Sequence, residues 1–195
     1  MRRGRLLAWF TIAWNSIEGI VAIASGLTAG SIALVGFGVD SYVEVLSGAV
    51  VLWRLSKERH GEELSEAAEH RALRIIAVSF FVLGAGVAAE SLRKLLTGEH
   101  PSASAVGVGL TVVSLAIMPL LARAKRKVGR ELGSHALQAD AAESVLCVWL
   151  SGVVLAGLVL NAGFGWWWAD PVAALGIVYV AVREGREAWK GETCC

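Results

Sequence analysis

Cysteine is scarce, and its placement excludes a disulfide framework. Two of the three cysteines are adjacent at the C-terminus, and the third, Cys147, lies within an apolar run as a free thiol. Proline is equally rare. Pro119 falls inside an apolar run, where a kink is expected near the inner end of a helix. A formal net charge of +1 gives no electrostatic footprint for nucleic acid. Gly107 and Gly109 follow no strand and lack the third glycine of a nucleotide-binding loop. Lysine and arginine are missing from three short stretches, 28–31, 97–102 and 161–165.

What the chain has in excess is apolar surface. Hydrophobic residues make up 55% of the 195, with 22 glycines besides, and the mean hydropathy is +0.59. One soluble core needs less, since soluble domains hold roughly 45–50% apolar residues with glycine counted. The excess is gathered into six segments, 6–27, 32–53, 73–95, 103–121, 136–160 and 167–182. Each is near the roughly 20 residues with which a helix crosses a bilayer, and the last continues as an amphipathic end through Trp189. The start, Met1-Arg2-Arg3, also fits a signal peptide, but the following run is too long and is interrupted by Asn15 and Glu18.

Charge orients the segments. All but Arg93 and Lys94 of the 18 lysines and arginines fall at the N-terminus, in stretches 54–74 and 123–130, or after the sixth segment. Basic residues stay on the cytoplasmic side, so the pattern predicts six transmembrane helices with both ends inside. The run 123–127 is read as part of this signal, with anionic lipid headgroups as an alternative partner. Trp166, Trp167 and Trp168 suit an aromatic belt at the outer face. Asp170-Pro171 reads as an N-cap followed by proline in the first turn of the sixth helix. Small residues, such as Gly26 and Gly30 or Gly84 and Ala88, allow close helix approach.

Six acids do not belong in such spans: Glu18, Asp40, Glu44, Glu90, Asp140 and Glu143. Each costs roughly 2.5–3.5 kcal/mol near a helix centre. No lysine or arginine is expected at matching depth, which leaves protonation or cation binding. Asp40 and Glu44 are four apart and share one face of the second helix; Glu143 and Cys147 repeat the spacing on the fifth. Two facing helices with two donors each can enclose one divalent metal, and a tetrahedral O and S set favours Zn²⁺. Asp140 precedes Glu143 by three residues, as a further ligand, a supporting partner or a proton carrier. Glu18 and Glu90 lack partners at helical spacing; either lines an access path or is protonated and hydrogen-bonded to a neighbouring helix, and Glu18 stands with Asp140 as a possible additional metal ligand. Asn15 reads as interhelical glue.

The stretch 31–44, SIALVGFGVDSYVE, resembles the second-helix motif of the cation diffusion facilitators, in which a small-residue run leads into two ligands spaced i, i+4. Residues 139–147, ADAAESVLC, are similar to that family's fifth-helix motif, and 168–175, WADPVAAL, to the start of its sixth helix. The resemblance implies a six-helix transporter in the cell (inner) membrane. It would export a divalent metal from the cytoplasm in exchange for protons and would not be an enzyme. It gives Asp40 and Glu44 the second-helix ligand places, Glu143 the usual His place and Cys147 the usual Asp place. The mixed set suits Zn²⁺ and also Cd²⁺, Co²⁺ or Fe²⁺. The metal is cargo, so no resident cofactor is implied.

Relatives usually carry a cytoplasmic metal-binding domain after the sixth helix. Here residues 183–195 are too short for one. The expectation is a transmembrane domain over 1–190 with a short tail, 191–195, and a homodimer formed through membrane contacts. Cys194 and Cys195 could catch metal or accept a lipid, and the acidic, His-containing stretch from His60 to His70 could recruit metal. Three other functions stay open. These are a membrane sensor or accessory protein that binds metal without transport, a carrier of organic cations, and an intramembrane enzyme. The enzyme reading lacks a helix-borne His to partner Cys147.

Overall fold

The computed structural model describes residues 2–59 and 66–190. They form six helices: α1 (Arg2–Ala29), α2 (Ile32–Arg59), α3 (Glu66–Thr97), α4 (Ala105–Leu132), α5 (His135–Phe164) and α6 (Ala169–Lys190). No strand occurs among the described residues. All six predicted segments are helices, and the protein is a multi-pass, all-α membrane protein. Four stretches are long and apolar enough to span by composition alone: Arg2–Ala29, Ile32–Leu55, Ala105–Leu132 and Glu143–Phe164. The other two helices, α3 and α6, carry more charge at their basic ends and pack on each other and on α2.

In lipid, apolar burial gives helices little reason to associate, so close packing of small residues sets their approach. A Cβ on Gly38 of α2 would come within 2.9 Å of the Ala22 side chain and the Ile23 backbone of α1. One on Gly157 of α5 would come within 2.9 Å of Ala173 on α6. Gly84 faces Ala181 across the α3–α6 contact. Gly30 has another job. It is not a packing residue but closes the α1–α2 turn at φ +65°, a conformation open to glycine without strain. The shared core is built from Leu34, Phe37, Met118, Val154 and Ile177 of α2, α4, α5 and α6. Trp9, Leu27, Val82, Leu120, Trp149 and Tyr179 face outward as a lipid-facing coat.

The two ends of the bundle differ. At the basic end, a Cβ on Gly4 of α1 would lie within 3.4 Å of Leu55, Leu132 and Leu137, so the ends of α1, α2, α4 and α5 meet there. The stretch 123–130, expected as a loop, instead continues α4 as helix to Leu132, through Pro119 and into the basic residues. Arg123, Arg126, Lys127 and Arg130 are exposed; Lys125 is not.

At the opposite end the short connections are tied by hydrogen bonds. Ser102 N–H donates to Ala29 O at 2.8 Å, Asn161 donates to Pro101 O at 2.9 Å, and Lys94 donates to Gly30 O. Asp170 corrects the capping expectation. It lies inside the first turn of α6, fully buried, and accepts from the Ser31 hydroxyl and, at 2.9 Å, from Ile32 N–H. Asp170 therefore caps α2, not its own helix, and couples the start of α6 to the start of α2. Arg93 pairs with Glu90 at 2.6 Å and with Glu99 at 2.5 Å. Glu90 thus has a partner at helical spacing after all, and it sits half-exposed, away from the buried acids. Hydrogen bonding to Arg93 holds the Glu99 carboxyl below its ordinary range. Trp166 and Trp168 stack on each other, and Trp167 lies against His100.

Candidate functional site

Asp40 and Glu44 lie one turn apart on α2, and Glu143 lies on the facing surface of α5. The three carboxylates line one small cavity of ≈ 20 Å³, room for about one water. Its walls are completed by Glu184 of α6 and by apolar side chains that include Val43, Phe80 and Leu150. Oε2 of Glu44 and Oε2 of Glu143 are buried without a hydrogen-bond partner. Carboxylate oxygens left bare in an apolar surround are costly unless a proton or cation meets them. Cys147 is 2% exposed and within interaction range of Glu44, but it does not line the cavity. Among the described residues, no three His, Cys, Asp or Glu side chains stand close enough together to hold a metal ion in this conformation.

Asp140 faces a different neighbour. Lys125 of α4 is completely buried, and its Nζ lies 2.9 Å from Asp140 Oδ2 and 3.9 Å from Glu44 Oε1. The expectation that no basic residue reaches the acids is therefore wrong. The ammonium also donates to Ser144 Oγ at 2.8 Å, and the Ser144 hydroxyl donates to Glu44 Oε1 at 2.7 Å. Ser47 adds a longer bond to Asp140 at 3.4 Å. A buried ion pair with supporting hydrogen bonds is the arrangement that lets charges persist out of water.

The α4 sequence carried a signal for Lys125. Its buried positions run Gly107, Thr111, Ser114, Met118, Leu121, Ala122, Lys125 and Gly129, a stripe with helical spacing. Lys125 lies on that stripe, whereas its basic neighbours point outward. Glu184 was also missed; it continues the inward face of α6 beyond Ile177 and Ala181, three residues on.

Glu18 stands apart from the cavity, fully buried on α1. Its Oε2 is 3.5 Å from the Ser41 hydroxyl, while Oε1 and both amide atoms of the buried Asn15 have no partner. Asn15 therefore makes no interhelical bond in this conformation. Nearby, Ser151 donates to Ser114 at 3.2 Å, so a polar seam runs between α1, α2, α4 and α5. Cys194, Cys195 and residues 60–65 lie outside the described residues, as do the side chains of 66–70 and of His135.

The family model for the cation efflux transmembrane domain matches residues 8–191. The chain is 28% identical to the cation-efflux pump FieF of Salmonella typhi over 95% of its own length and 65% of the pump's. It is also 28% identical to the uncharacterized transporter sll1263 of Synechocystis, over 80% of this chain and 52% of that one. The chain thus spans less than two thirds of the length of these relatives.

Proposed function

The chain belongs to the cation efflux family, and on that premise we propose that it exports a divalent metal ion from the cytoplasm in exchange for protons. The observation that carries the reading is the cavity shared by Asp40, Glu44 and Glu143 on two facing helices inside a membrane fold. Cys147, buried one turn along α5 from Glu143, supplies the fourth donor after a modest closure toward Glu44. Two carboxylates from α2 with a carboxylate and a thiol from α5 suit Zn²⁺, with Cd²⁺, Co²⁺ and Fe²⁺ as further cargo. The proposed setting is the inner cell membrane, with the basic end of the bundle in the cytoplasm. A homodimer would form through membrane contacts. Gly84 is engaged with α6, so the outward-facing Ala85, Gly86 and Ala89 of α3 are the small residues free for such a contact.

Purified protein in sealed liposomes, presented with Zn²⁺, Cd²⁺, Co²⁺, Fe²⁺ and Mn²⁺ in turn, tests the proposal. An internal metal-sensing dye should report uptake of at least one ion above empty liposomes. A protein that binds these ions without moving any is a sensor or accessory protein. A flux of organic cations alone would also sink the reading.

A further inference from the structure

Lys125 is the feature that metal transport by a ring of acids does not call for. An ammonium beside a cation site repels the cargo, and a fully buried lysine is costly to keep. Its surroundings explain how it is held. Nζ sits 2.9 Å from Asp140 Oδ2 and 2.8 Å from Ser144 Oγ, and the Ser144 hydroxyl donates onward to Glu44 Oε1 at 2.7 Å. The chain Lys125–Ser144–Glu44 fixes one oxygen of Glu44 and leaves the other, Oε2, without a partner. Asp140 meanwhile is taken up by the ion pair and does not line the cavity.

We propose that Lys125 is a latent competitor for the metal's place, a tethered cation whose partner Asp140 keeps it off Glu44. Asp140 is then its counter-ion and not a ligand. Parked on Asp140, the ammonium reaches Glu44 only through Ser144 and lies 3.9 Å from the carboxylate that the metal needs. Freed from Asp140, it has only that short distance to cross before it occupies Glu44 in the metal's place. The two acids beside Lys125 are therefore divided: Glu44 for the mobile cation, Asp140 for the fixed one. The inference rests on the metal-site reading given above.

The test is a suppressor pair, measured on the full chain in detergent by competition of Zn²⁺ and Cd²⁺ against a fluorescent chelator. D140N removes the counter-ion with little change of shape and should weaken both metals by about tenfold or more, as loss of outer-shell support does. K125M/D140N removes the released ammonium as well and should bring the affinity back to the wild-type value or tighter. A structural defect would not be repaired by a second buried substitution, and a lost ligand would not be replaced by methionine. The inference is overturned if D140N binds as wild type, or if the double variant stays as weak as D140N. D40N separates the two readings. If D40N loses binding while the pair behaves otherwise, only the role of Lys125 is wrong. If the wild-type protein binds none of the five ions named for the liposome test, both readings fall.

Discussion

Asp40 and Cys147 carry opposite halves of the candidate site's chemistry, a hard oxygen and a soft sulfur. Loss of an outer-shell partner commonly costs 10–100-fold in metal affinity, so loss of a ligand should cost roughly 100-fold or more. Asp40→Asn should therefore abolish metal uptake into liposomes, since no other acid on α2 stands within one turn except Glu44 itself. Normal uptake by that variant would remove Asp40 from the site. Cys147→Ser keeps an oxygen donor at the fourth place, so it should leave Zn²⁺ uptake largely in place and depress Cd²⁺ selectively, because the softer ion gains more from sulfur. Equal loss of both metals would speak for a packing role. That Asp40, Glu44 and Glu143 face one another was legible from i, i+4 spacing on two apolar helices, whereas Cys147 lies outside the cavity lining. Lys125 was not legible, because a basic cluster after an apolar run looks like a topology signal. Only the phase of the α4 stripe shows that one of its five cations turns inward.

Elements were the most legible level. Apolar runs of membrane length are helices in lipid because every backbone group must be satisfied within the segment. Their ends were harder. Asp170 before Pro171 has the same sequence whether it caps α6 or reaches across to Ser31 and Ile32 of α2. Only packing decides. Asp170→Ala should thus act as an inter-helix lesion. It strips a buried carboxylate that accepts two bonds, and hydrogen bonds to charged groups are worth about 1.5–3 kcal/mol. Thermal unfolding in detergent should show a lowered midpoint, while metal affinity in the folded fraction, set far along α2, should hold. An unchanged midpoint would mean that Ser31 and Ile32 find other acceptors. Gly38→Val should be more severe. Its side chain would meet the backbone of Ile23 within 2.9 Å, and a helix backbone cannot yield as a side chain can. Detergent-stable yield should drop sharply; normal yield would show that α1 and α2 can separate without loss.

At the scale of the whole molecule, the bundle has a basic end, a tied end and a set of buried acids between them. The tied end joins α1 to the connection before α4, α2 to α6, and α3 to the α1–α2 turn through hydrogen bonds. The cavity lies among α2, α3, α5 and α6. Access that alternates between the two faces of the membrane would therefore come from rocking of helix groups about the proposed site. Metal binding requires deprotonated carboxylates and thiol, so each metal that binds must release protons from ligands that held them. On the proposed reading the same residues would couple the two ions with no separate device, and protons arriving from the outer side would expel the metal. The expected outcome is that metal export speeds up when the outside is acidified and slows when the gradient is collapsed. Sealed proteoliposomes carrying an internal pH dye, given a pH jump with metal present, measure both fluxes at once. Proton movement should appear only with metal and should vanish in Asp40→Asn. Metal flux without proton counterflow would defeat the exchange mechanism while leaving the ligands in place. Proton flow without metal would show that the buried acids conduct rather than exchange.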